Sequence, residues 1–192
     1  FQNVEEIITK AVNIVKDSFC ESGKKAYAAL DVGPLGKLLQ PCGGLPFEDA
    51  YNLFKEQVIA GEKAGADLVL IETMGDLYEI KSAVLAAKEN TNLPIFVSMI
   101  FDKKGTLLTG ADVKTAIVTL EALGVDGIGL NCGLGPDQML VLVKEMRKYS
   151  STPIFIQPNA GLPISVNGET VYNVTPEEFA EKQLKILENG AC

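Results

Sequence analysis

Five short apolar runs rich in strand-forming residues recur along the chain, at Ala26–Val32, Leu68–Ile71, Pro94–Phe101, Gly127–Leu130 and Pro153–Ile156, and each is followed by an amphipathic helical pattern. Apolar strands alternating with helices specify a parallel sheet covered by helices, either a (β/α) barrel or an open doubly wound sheet. An open dinucleotide-binding sheet carries a glycine-rich first turn near its start. Here the strand ends carry varied polar residues instead: Asp31, Glu72, Ser98, Asn131 with Cys132, and Asn159. Polar groups at successive strand ends fit a barrel, whose site is assembled on that one rim. Eight β/α units need about 250 residues, whereas this chain of 192 opens inside a helix and stops at Ala191-Cys192, where a further strand is due. The expectation is an α/β fold, a TIM-type (β/α)8 barrel present as a single partial domain over residues 1–192 and lacking strands at both ends.

The helix before the first run sets Val4, Ile7, Ile8, Ala11, Val12 and Val15 on one face predicted to point inward, and the last helix does the same with Phe179, Ala180, Leu184 and Leu187. The start of that last helix is well marked. Thr175 caps, Pro176 suits the first helical position, and Glu178 supplies the third-residue acid of a capping box.

Charge and cysteine usage narrow the chemistry. With 17 Lys+Arg against 25 Asp+Glu, a net charge of −8 and scattered basic residues, no nucleic-acid partner is expected. The longest apolar stretch, Leu93–Phe101, is interrupted by Pro94 and Ser98 and falls well short of the roughly 18 residues of a membrane helix, so no membrane partner is expected. Four cysteines, Cys20, Cys42, Cys132 and Cys192, lie far apart without a CxxC pair, which fits a reducing cytoplasm. Histidine is absent, removing the usual general base, His-dependent nucleophiles and His-ligated metals. Chemistry here must run on carboxylates, amides, thiols or a cofactor.

The segment Asp126-Gly-Ile-Gly-Leu-Asn-Cys-Gly-Leu-Gly-Pro136 runs off a strand into a helix. A glycine-rich turn there can cradle a phosphate on backbone amides, but Gly133 and Gly135 are not followed by the Gly-Lys-Ser/Thr of a P-loop. Cys132 reads either as a small buried apolar residue or as a thiolate ligand at a strand end. Glu72 closes an apolar strand, and a buried carboxylate is costly unless paired. No other strand end offers Lys or Arg, so an ammonium ligand is favoured over a salt bridge. Asn159 either ties down its own loop or reaches a ligand.

Six collinear segments together resemble the homocysteine S-methyltransferase domain family, its cobalamin-linked branch in particular. They are Asp31-Val-Gly-Pro-Leu-Gly, Phe47-Glu-Asp-Ala-Tyr, Gly65-Ala-Asp-Leu-Val-Leu-Ile-Glu-Thr-Met, Gly124-Val-Asp-Gly-Ile-Gly-Leu-Asn-Cys, Pro158-Asn-Ala-Gly-Leu-Pro and Thr175-Pro-Glu-Glu-Phe. The resemblance implies a (β/α)8 barrel of which these are about strands 3 to 7. It also implies zinc-dependent transfer of a methyl group to the thiol of homocysteine, giving methionine. The zinc would be held by three cysteines, of which Cys132 matches the first while the other two are expected outside this chain; Cys20, Cys42 and Cys192 match no ligand position. Glu72 would bind the homocysteine ammonium, Asn159 and the backbone around Ala160 its carboxylate, and Ser98 and Asn131 would orient the ligands. Asp31 is a further candidate, its alternative role being to fix its own Gly-Pro turn. The implied methyl donor is methylcobalamin on another module, with a folate-binding module in the same protein. By itself the chain is expected to be inactive.

Three other readings stay open at this stage. A related barrel could take the methyl group from betaine or S-methylmethionine. A pterin- or phosphate-binding barrel would use the turn at Gly133. A non-catalytic interaction domain would pair its exposed strand edges with another chain.

Overall fold

The computed structural model describes residues 3–161, 164–166, 168–172 and 174–192. Five strands, β1 (Ala29–Val32), β2 (Leu68–Met74), β3 (Ile95–Met99), β4 (Gly127–Asn131) and β5 (Ile154–Gln157), follow the order β1-β2-β3-β4-β5. The helices between them are α1 (Val4–Ser22) before β1, α2 (Phe47–Ala64), α3 (Leu77–Asn90), α4 (Val113–Leu123) and α5 (Pro136–Met146), with α6 (Pro176–Glu188) closing the chain. All five sequence runs are strands, and the alternation is the α/β pattern expected of part of a TIM-type barrel. Among the described residues no helix is long and apolar enough to cross a membrane.

The chain divides into two compact units. The first comprises Phe1–Met74 and Tyr78–Val97. In it β1 runs parallel to β2, with Leu30 opposite Val69 and Val32 opposite Ile71, all four buried. The other face of this pair carries Ala29, Asp31, Leu68, Leu70 and Glu72, all at least partly exposed. Helix α1 packs on α2 through a narrow stripe in which only Val12 is fully buried. The wider inward face predicted for α1 is corrected accordingly: Ile7 is 56% and Val15 41% exposed. One partner helix covers one side of a cylinder, so residues about a hundred degrees away stay in solvent.

The second unit comprises Gly75–Leu77 and Ser98–Cys192. Here β4 runs parallel to β5, with Ile128 opposite Ile154 and Asn131 opposite Gln157. Gly129 admits the Phe155 side chain, because a Cβ at that position would stand 2.7 Å from the ring. The capping box of α6 is present, with Thr175 Oγ1 accepting from the Glu178 amide and the Glu178 carboxylate accepting from the Thr175 amide. The predicted inward face of α6 is not the packed one. Ile186 is buried, whereas Leu184 and Leu187 are 60% and 49% exposed, so the helix is rotated relative to the face its leucines define. A short antiparallel hairpin absent from the sequence reading, β6 (Ile164–Val166) with β7 (Glu169–Val171), stands between β5 and α6.

Candidate functional site

In the second unit three predicted residues form one hydrogen-bonded chain. Ser98 and Asn131 are buried at the ends of β3 and β4. The Ser98 hydroxyl donates to Asn131 Oδ1, and Asn131 Nδ2 donates to Cys132 Sγ at 3.3 Å. The amide is thereby oriented from the core side and presents its N–H to sulfur. Cys132 itself is exposed, which excludes the buried apolar reading. Its backbone lies in the left-handed region, φ 53°, followed by Gly133 at φ 64°. The Leu134 amide closes the turn onto the Cys132 carbonyl at 2.6 Å. A non-glycine residue in this region is uncommon, and such conformations gather where function holds them.

The loop after β5 is tied to the same turn. The Cys132 amide donates to the Gln157 carbonyl at 3.2 Å and the Asn159 amide to the Leu134 carbonyl at 3.1 Å. Gly135 permits this approach, since a Cβ there would come within 3.3 Å of the Gly161 Cα. The structure therefore brings together Ser98, Asn131, Cys132 and the Asn159-Ala160 loop. The glycine-rich turn spends the Leu134 amide internally rather than aiming it at a phosphate.

Cys192 stands elsewhere. Its amide donates to the Ile154 carbonyl at 2.8 Å and its thiol to the same oxygen at 3.3 Å. That is the opposite end of β5 from Gln157, about 10 Å away at a strand's rise per residue. Cys132 offers an exposed thiol directly after β4, and among the described residues no cluster of three or more His, Cys, Asp or Glu could hold a metal ion. The described residues thus supply one candidate thiol donor and no complete metal site.

In the first unit Glu72 is half-buried near the end of β2. Asp31 lies on its face, opposite Leu70 and one diagonal step from Glu72. Burial raises the Asp31 carboxyl above the usual aspartate range. Directly after Glu72, Thr73 has φ 65°, a feature the sequence reading missed. Glu79 was missed too: it is buried on α3, and its carboxylate accepts the Leu35 amide at 2.7 Å, pinning the turn after β1. In the second unit, buried Asp76 accepts from the Thr109 hydroxyl at 2.9 Å.

The sequence profile of the family described as homocysteine S-methyltransferase matches residues 1–192. Over 172 residues the chain is 33% identical to a methionine synthase of Mycobacterium leprae and 31% identical to one of Mycobacterium tuberculosis, in each case 87% of this chain but 14% of the relative. Among solved structures it resembles the homocysteine methyltransferase MmuM of Escherichia coli in its apo form, with TM-score 0.77, 18% identity, and coverage of 97% of this chain and 66% of that one. The same enzyme in a metallated form gives the same TM-score of 0.77. The chain thus spans about one seventh of the curated relatives and about two thirds of the solved one.

Proposed function

The chain belongs to the homocysteine S-methyltransferase family, and from that premise we propose that it forms the homocysteine-binding part of a cobalamin-dependent methionine synthase of the cytoplasm. The observation that carries this reading is the exposed Cys132 thiol at the end of β4, held in a left-handed backbone and faced by the amide of buried Asn131. The identity to two methionine synthases supports the cobalamin-linked branch. In this reading homocysteine is the methyl acceptor and methylcobalamin, on a separate module, the donor. A folate-binding module belongs to the same protein.

Cys132 is one thiolate ligand of a zinc, and two further cysteines outside the 192 residues complete the set. Zinc bound there supplies a Lewis acid that keeps a thiol ionised at neutral pH, so that a chain with no histidine needs no side-chain base. The protein's own residues bind and orient. Asn131 donates its N–H to the Cys132 sulfur, and Ser98 fixes the amide that does so. Glu72, with Asp31 on the same face, takes the ammonium of homocysteine. Asn159 and the backbone of Ala160 take its carboxylate. Fixing the amino-acid end of the substrate confines its sulfur, converting a bimolecular encounter into a local one.

The test is methionine formation by the full-length protein with methylcobalamin, betaine or S-methylmethionine as donor. Turnover with methylcobalamin is expected. Turnover with either of the others alone would move the chain to the corrinoid-independent branch, and none with any donor would reject thiol methylation.

A further inference from the structure

Strand β2 carries a phase slip. Val69 and Ile71 are buried while Leu68, Leu70 and Glu72 are partly exposed, but then Thr73 is partly exposed as well and Met74 is fully buried. An unbroken strand alternates with period two, which would send Thr73 to the buried face and Met74 to the face of Glu72. The slip falls on the one residue of the strand whose backbone is left-handed, with φ 65°. A left-handed residue that breaks the alternation re-aims the side chains on either side of it. For a β-branched residue that conformation is an outlier, whereas glycine and asparagine adopt it readily. Strain of this kind persists only where surrounding structure holds it, and wholly buried Met74 supplies the anchor on the far side. Strand β4 is likewise followed by a left-handed residue, Cys132 directly after Asn131.

We propose that Thr73 is a positioning residue for the substrate: its left-handed backbone ends the alternation of β2 immediately after Glu72 and fixes the direction of the Glu72 carboxylate toward the ammonium of homocysteine. The inference rests on the reading of Glu72 given above. Thr73 acts through that carboxylate, so its effect belongs to binding of the amino-acid end and not to the methyl transfer.

The experiment uses the zinc-loaded full-length protein and compares Thr73→Val, Thr73→Asn, Glu72→Gln and the double variant Thr73→Val/Glu72→Gln. L-Homocysteine Kd is read by calorimetry, KM and kcat by methionine formation, and zinc content by elemental analysis. Valine keeps the bulk and the β-branch but loses the hydroxyl, the kind of short polar group that offsets left-handed strain by bonding locally; asparagine keeps such a group and tolerates that backbone well. Thr73→Val is expected to raise Kd and KM on the order of tenfold with kcat and zinc content unchanged, the pattern of lost ground-state binding, while Thr73→Asn restores wild-type binding. The double variant binds no worse than Glu72→Gln alone, because both changes act through one carboxylate. Where circular dichroism shows that Thr73→Val does not fold, Thr73→Ala carries the same comparison with a smaller rise. Unaltered binding in the valine or alanine variant, an asparagine variant as impaired as valine, or additive losses in the double variant overturns the proposal while leaving Glu72 in place. Unaltered binding in Glu72→Gln overturns the reading of Glu72, and the proposal with it.

Discussion

Replacing Cys132 by glycine and, separately, by alanine distinguishes the backbone from the thiol. Both variants remove the sulfur. Because Cys132 is exposed, neither forfeits much buried surface, and the backbone bonds to Gln157 and from Leu134 remain possible in both. They differ at φ 53°. A non-glycine residue in the left-handed region pays about 1–2 kcal/mol that glycine does not. Against this, glycine gives the unfolded chain extra freedom, roughly 0.4–1 kcal/mol. The balance leaves the glycine variant more stable than the alanine variant by about 0.5–1 kcal/mol. For a protein of this size each kcal/mol moves Tm by about 2–4 °C, so thermal unfolding by far-ultraviolet circular dichroism should place glycine a few degrees above alanine. In the zinc-free protein glycine should also match or exceed the wild type in stability, while the full-length glycine variant loses zinc and methyl transfer together. An alanine variant as stable as the glycine variant would refute the argument that the thiol is held in place against backbone strain.

Further expectations follow from the same geometry. Glu121 Oε1 accepts from the Ser151 and Thr152 amides at 2.6 and 2.8 Å and from the Ser150 hydroxyl at 3.1 Å; burial pushes its pKa up, but these hydrogen bonds outweigh it and hold the carboxyl below the usual glutamate range. Its folded pKa lies below its unfolded one, so the stabilisation is complete above the ordinary glutamate range and is lost as pH falls through the lowered value. Glu121→Gln should therefore cost about 1 kcal/mol at neutral pH, given partial exposure, and should flatten the acid limb of the unfolding curve; an unchanged acid limb would remove Glu121 from the account. Ser98→Ala deletes a buried hydrogen bond to Asn131 and should weaken zinc retention about 10- to 100-fold, read by competition with a chelator, with unchanged retention counting against the orienting role. Glu72→Gln should lower homocysteine affinity and leave zinc content as it was, both measured on one preparation.

The strands were legible because each is a short apolar run bounded by polar residues, and the polar strand ends include Ser98, Asn131 and Cys132, which hydrogen bonds join in the structure. The hairpin β6-β7 was missed although Asn167-Gly168 between alternating residues is a strong turn signal in the sequence. In both terminal helices the apolar period is wider than the face this chain covers: Ile7, Val15, Leu184 and Leu187 share the period and are exposed. The roles of Glu79 and Asp76 could not be read, because their partners, the Leu35 amide and the Thr109 hydroxyl, are remote in sequence. Nor could the left-handed backbone at Thr73 and Cys132, since neither residue type favours it. There tertiary context overrides local preference, at the two strand ends that carry the candidate chemistry.

The proposed role of Cys132 is that of a zinc ligand in a homocysteine methyltransferase. Zinc stoichiometry of the full-length protein, wild type against a folded Cys132→Ala variant, tests it most directly. The account predicts one zinc per wild-type chain, with zinc and methyl transfer lost together in the variant. Full zinc retention without the Cys132 thiol would contradict it.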